Sequence, residues 1–169
     1  MGKMSVASWI SVSSAFVIFS LAQAGPVEDL ASVLQGRSGS ASEDRREDVT
    51  GPFNVRIGCA GDTLEANVKI TGVSGNMSGD TASMVVSYNG SYERQGWDIP
   101  CQKVSSNLGG LEERHVYGKF HFTVSGKAFQ KPTIAWGGLS NYGEITDVGH
   151  DSNQFAAEAV KAAITSALQ

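Results

Sequence analysis

Four side chains in this sequence are of types that could together do acid–base chemistry: Arg56, Glu65, His115 and His121. A carboxylate, a guanidinium and two imidazoles on one surface can act as base, phosphate clamp and acid, the set that cleaves the phosphodiester of RNA. A second use of overlapping residues is recognition. His115, Tyr117, Lys119 and His121, with Tyr142 on a glycine-rich loop, offer donors, acceptors and rings to a protein or a glycan. Any solvated sheet face carries these residue types, so the binding surface is the leading expectation. No residue is assigned as catalytic, and the hydrolase quartet is the alternative. A metal centre is not expected. His115 and His121 lie six residues apart on one strand, about 20 Å, and Asp147, Asp151 and Asn153 do not follow a calcium-loop spacing. No Walker, dinucleotide or Gly-x-Ser-x-Gly pattern is present, so no cofactor is expected.

These residues need strands to position them, and the pattern supplies strands. From His115 to Gly126, Val116, Phe120, Phe122 and Val124 alternate with His115, Tyr117, Lys119, His121 and Thr123, giving one apolar and one polar face. Leu64, Ala66, Val68 and Ile70 alternate in the same way with Glu65, Asn67 and Lys69. Short strands are also expected at 53–57, 82–88, 91–96, 132–136 and 143–148, with a turn at 58–62 and a loop at 72–81. Asn89-Gly90 reads as a type I′ hairpin turn, because both residues accept positive φ. From Asn153 to the last residue there is no Gly or Pro, and Val160, Ile164 and Leu168 recur every fourth position. Asp151 or Ser152 is the expected N-cap. The fold class implied is α+β and mostly β: an antiparallel sheet or small β-sandwich of seven to eight short strands, with one amphipathic helix packed on it at the C-terminal end.

The first residues carry an address rather than a fold. Lys3 precedes an apolar run from Trp9 to Leu21, and Ala22-Gln23-Ala24 completes a small-x-small cleavage site, the layout of a secretory signal peptide over residues 1–24. The run is broken by serines and falls short of the ~20 apolar residues that span a bilayer, so no membrane anchor is expected. Residues 25–46 are Ser-, Gly- and charge-rich and read as an acidic, flexible pro-segment ending in Arg45-Arg46, a dibasic site open to a processing protease. The remaining 47–169 reads as one secreted, monomeric domain. It keeps 9 basic and 13 acidic residues, a net −4 that disfavours nucleic acid as a partner. Cys59 and Cys101, an even pair in a secreted chain, read as a disulfide. Two sequons, Asn76-Met77-Ser78 and Asn89-Gly90-Ser91, are glycosylation candidates in expected turns, with Asn76 the less hindered.

A signal ending at Ala24, an acidic segment ending at Arg45-Arg46 and a small β-rich domain tied by Cys59 and Cys101 resemble the organisation of fungal small secreted effectors. Killer-toxin precursors are a more distant likeness. The single-disulfide MAX effectors have comparable cysteine spacing, from which this chain departs by 68 residues beyond Cys101, the helix included. The resemblance implies an unknown protein or glycan target outside the producing cell, on a host or a competitor. A ribonuclease-like hydrolase and a cell-wall-associated glycan binder are the alternatives.

Overall fold

The computed structural model describes residues 25–140 and 150–169. In chain order it contains α1 (Pro26–Leu34), β1 (Ser38–Asp44), β2 (Glu47–Thr50), β3 (Arg56–Ser78), β4 (Thr81–Asp98), β5 (Gln102–Lys103), β6 (Leu111–Ser125), β7 (Thr133–Ser140) and α2 (His150–Leu168). All pairings are antiparallel, in the order β1-β3-β4-β6-β7, with β2 also on β3 and β5 on β4. The α+β class, the antiparallel sheet and the terminal helix are as the alternation implies. The three inner strands are long, at 23, 18 and 15 residues.

Fusion of expected short strands explains that length. The turn expected at 58–62 lies inside β3, and most of the loop expected at 72–81 is its continuation to Ser78. Strand alternation is lost to the eye at Ile70 because a bulge follows: Ile70 faces Tyr88 and the next paired residue, Gly72, faces Ser87. The extra residue, Thr71, reverses the parity, so Val73 opposite Val86 stays on the apolar side.

Asn89-Gly90 is not a hairpin. It sits in the middle of β4, with Asn89 opposite Lys69 on one neighbour and Tyr117 on the other. The glycine has a different purpose: a Cβ at Gly90 would lie 1.9 Å from the carbonyl oxygen of Asn67, so only a residue without one lets β3 approach. The expected strand from Phe53 is also displaced. Pro52–Asn54 is a tight turn with positive φ at Phe53 and Asn54, β3 begins at Arg56, and Phe53 is 98% exposed.

Residues 25–46 are part of the fold, not a flexible leader to it. Val27, Leu30 and Leu34 recur at helical spacing and are buried, so α1 has an apolar face to place on the sheet. β1 pairs with β3 from Ser38 opposite Lys69 to Asp44 opposite Thr63. Its inward residues are Gly39 and the half-buried Ala41, and their smallness is the reason this segment looks unstructured by composition. A Cβ at Gly39 would meet the Ala159 carbonyl oxygen at 2.1 Å and the Ala163 nitrogen at 2.5 Å. The strand is therefore a seat for α2.

One face of the curled sheet is the core. Leu64, Ala66, Val68 and Ile70 of β3, Met84, Val86 and Tyr88 of β4, and Val116, Phe120, Phe122 and Val124 of β6 are buried there beneath α1 and α2. From α2, Ala156, Ala159, Val160, Ala163 and Ile164 are buried. Phe155 belongs to the core as well, its ring 6.4 Å from that of Tyr92. The helix begins at His150, so Asp151 and Ser152 are inside it rather than at its cap. Cys59 and Cys101 form the expected disulfide, between the start of β3 and the segment after β4. No helix among the described residues is long and apolar enough to cross a membrane.

Candidate functional site: the open face of the sheet

Among the described residues no helix lies on the opposite face. Three residue rows run across β1, β3, β4 and β6, set by the pairing register: Ser42–Glu65–Glu93–Glu113, Ser40–Asn67–Ser91–His115 and Ser38–Lys69–Asn89–Tyr117. All twelve residues are exposed. Neighbouring strands are spaced by about 4.8 Å and rows by about 6.6 Å, so the array is a regular grid of hydroxyls, amides and charges. Ser38, Ser40, Asn67, Lys69, Asn89 and Ser91 line a shallow depression of ≈ 440 Å³ at its centre.

Local contacts orient part of this grid. The Asn67 side-chain amide donates to Glu65 Oε1 at 2.7 Å. The rings of His115 and Tyr117 lie 5.5 Å apart and 30° from parallel, a stacked pair at the border of the grid. Farther along β6, His121 Nε2 is hydrogen-bonded to Ser140 Oγ of β7. Lys119 is exposed between them, opposite Ser87 on β4 and Ser140 on β7. The outer face thus carries four members of the expected binding surface: His115, Tyr117, Lys119 and His121. Tyr142, the fifth, and the strand expected at 143–148 lie outside the described residues, as do Ala24 and the rest of 1–24.

The hydrolase quartet is not assembled. Glu65 and His115 are separated by the whole of β4, about 10 Å across the sheet, and by one row along it. His121 is a further ~20 Å along β6. Arg56 is at the far end of β3, opposite Thr50, with its guanidinium 2.8 Å from Asp48. Across the middle row, the residues that face His115 are neutral: Ser91 and Asn67. Among the described residues no group of three His, Cys, Asp or Glu side chains is placed to hold a metal ion.

One end of the open face is closed by the connection from β4 to β6. Gln95 is buried under it and its side-chain amide donates to the carbonyl oxygens of Gly96, Val104 and Gly110. Beside it the Trp97 indole donates to Thr63 Oγ1 at 3.1 Å. Arg46 stands 4.6 Å from the centre of the Trp97 ring, and Lys103 stands 5.7 Å from it. This end holds the dibasic pair in place. The Arg45 N–H donates to Asp62 O at 2.9 Å, its guanidinium lies 5.7 Å from the Phe155 ring, and it pairs with Glu43. Arg46 pairs with Asp44 through two side-chain hydrogen bonds and a third from its backbone N–H at 3.0 Å, which together hold the Asp44 carboxyl down at about 2. The two arginines, adjacent in sequence, are thus held by different aromatic rings, Phe155 on α2 and Trp97 beside Thr63.

The sequence reading missed the serines of β1 and the partner of His121. A period-two signal for the first was present in Ser38-Gly39-Ser40-Ala41-Ser42, with small residues where apolar ones are usually sought. Ser140 had no local signal, since its pairing with His121 follows from the β6–β7 register. Of the sequons, Asn76 is exposed two residues before the end of β3, while Asn89 is exposed at the centre of the grid. Comparison with protein-family models, curated proteins and solved structures finds no match.

Proposed function

We propose that this is a secreted, single-disulfide binding protein of the effector or toxin kind, and that its open sheet face takes a glycan on a surface outside the producing cell. The observation that carries this reading is the uncovered grid of Ser, Asn, Lys and Glu side chains bordered by the stacked His115–Tyr117 pair. Protein interfaces are anchored by apolar and aromatic side chains at a buried centre. This face has none at its centre. A glycan needs the reverse: many hydrogen-bonding groups at regular spacing, and a ring on which the C–H side of a sugar can rest. The signal layout of residues 1–24 and the disulfide both favour the extracellular route.

Two modifications bear on the reading. Asn76 near the β3–β4 turn is the acceptor that leaves the grid free, whereas a glycan on Asn89 would cover it. Cleavage after Arg46 would meet a paired backbone and two engaged side chains in the folded protein. Processing there would have to precede folding, or would leave 25–46 held in the sheet as a second chain.

The test is binding of the purified protein to insoluble chitin, β-glucan and mannan, read by depletion from solution. Tyr117→Ala and His115→Ala are expected to weaken binding to the polysaccharide that is retained by roughly tenfold, with unfolding unchanged, since both side chains are exposed. Retention on none of the three, or cleavage of RNA abolished by His115→Ala, would overturn the proposal.

A further inference from the structure

At the end of the molecule remote from α1, the β2–β3 hairpin closes through Gly51 to Val55, with the Gly51 N–H donating to the Val55 carbonyl at 2.8 Å. Its two central residues both have positive φ: Phe53 at 66° and Asn54 at 58°. This is the backbone of a type I′ turn, for which Asn-Gly is the usual choice. The chain has an Asn-Gly pair and places it elsewhere, in the middle of β4. A bulky residue with positive φ is strained, so Phe53 is a poor residue for the turn it occupies. It also contributes nothing to the core, being 98% exposed.

Phe53 is not alone there. Val55 is 59% exposed, and Ile57 and Ile99 are 44% exposed. The disulfide ties the Ile99 segment to the base of the same hairpin, through Cys59 and Cys101. Four apolar side chains are therefore shown to solvent at one end of the fold. Behind them is a collar of charge: Glu47, Asp48 and Asp98 are exposed, and Arg56 is engaged with Asp48.

We propose that this hairpin end is a lipid-contacting tip, which inserts Phe53 and its apolar neighbours into the interface of an electrically neutral bilayer. Two observations select lipid over a second copy or another protein. The first is area. An aromatic side chain buries roughly 150–250 Å², so the four partly exposed residues present about 400 Å², half of the ~800 Å² per partner of a stable protein interface. A shallow apolar insertion of this size suffices for reversible interfacial binding. The second is charge. A collar of three acids (Glu47, Asp48 and Asp98) and two bases (Arg56 and the exposed Lys103 of β5), on a protein of net −4, is disfavoured by anionic headgroups and indifferent to zwitterionic ones. The start of β3, beside the tip, lies about 30 Å along the strand from Glu65, so the tip can touch a membrane while the open face stays free.

The experiment uses the purified, disulfide-bonded protein and phosphatidylcholine vesicles, with flotation to separate bound from free. Wild-type protein is expected to float with the vesicles, equally at low and high salt, and less when phosphatidylserine is added. Phe53→Asn, which keeps positive φ accessible, is expected to reduce the bound fraction at least tenfold while the melting temperature holds or rises. Phe53→Trp is expected to retain binding, with its emission shifted to the blue on vesicles. Absence of binding at millimolar lipid would overturn the proposal. So would unchanged binding in Phe53→Asn, or binding that needs phosphatidylserine and is lost in salt. Loss of binding to a protein target in Phe53→Asn, with no vesicle binding by wild type, would reassign the tip to a protein socket.

Discussion

The two faces of the sheet are built from the same strands and are opposite in what they ask of each residue. On the inner face, Phe120, Phe122, Ile70 and Leu64 are almost wholly excluded from water beneath two helices, and Gly39 is in close contact with the backbone of α2. On the outer face, Lys69, Asn89, Ser91, His115 and Tyr117 touch water and one another. Stability is therefore concentrated on one side of a layer a single strand thick. The other side is free to vary, and three glutamates in a direct cross-strand row, Glu65–Glu93–Glu113, show a choice that stability alone would not make.

That contrast is broken most directly from the inner side. Phe120→Ala removes a fully buried ring and is expected to destabilise the protein by about 3–5 kcal/mol, measured by urea unfolding. If the change were below ~1 kcal/mol, the helices would not be closing that face. Gly39→Val is next, at about 1–3 kcal/mol, because the new side chain must displace Ala159 and Ala163 of α2. It also tests whether β1 belongs to the folded unit, since a loosely attached strand would tolerate valine.

The outer side is expected to respond weakly and with the opposite sign. Glu93→Gln relieves like-charge opposition to both Glu65 and Glu113 and should raise stability by about 0.2–1 kcal/mol, more at low salt than at high. A loss of stability on this substitution would show that the glutamates have a favourable partner. The smallest effect is acid sensitivity from Asp44. Its carboxyl is held at about 2 in the folded protein by hydrogen bonds from Arg46, below its ordinary value of 3.8. Its contribution is complete above the ordinary value and is lost as pH falls from about 4 to about 2. Asp44→Asn should flatten that part of the stability profile by slightly lowering stability above about pH 4 and leaving it unchanged near pH 2, the effect being small because the pair is solvent-exposed.

How much of this was legible in the sequence divides along the same line. β6 and the middle of β3, from Leu64 to Ile70, were visible because one face is buried under helices and forces strict alternation. α2 was visible from its alanines and its four-residue spacing. Local rules failed where tertiary contact overrode them. Asn89-Gly90 has the composition of a turn, yet the approach of β3 demands a glycine there. Ser38–Ser42 has the composition of a linker, yet its small residues are what a helix lying close against a strand requires. Phe53 looked like the first residue of a strand and is instead the most exposed large apolar residue in the described structure. The candidate site was legible as residue types on β6, but its rows depend on register, which no single strand reveals.

The strand position of Asn89-Gly90 also determines how this protein ages. An Asn-Gly pair loses its amide when the glycine nitrogen attacks the asparagine side-chain carbonyl and closes a five-membered imide. That ring needs a backbone twist that an extended residue held between two neighbouring strands does not adopt. In the folded protein Asn89 should therefore persist, while in the unfolded chain it should turn into aspartate or isoaspartate within the time such pairs usually take. Peptide mapping of aged samples would read the difference as added mass at this one position. Each conversion would place a new negative charge at the centre of the grid, so every excursion of the molecule into the unfolded state leaves a lasting chemical record on its open face.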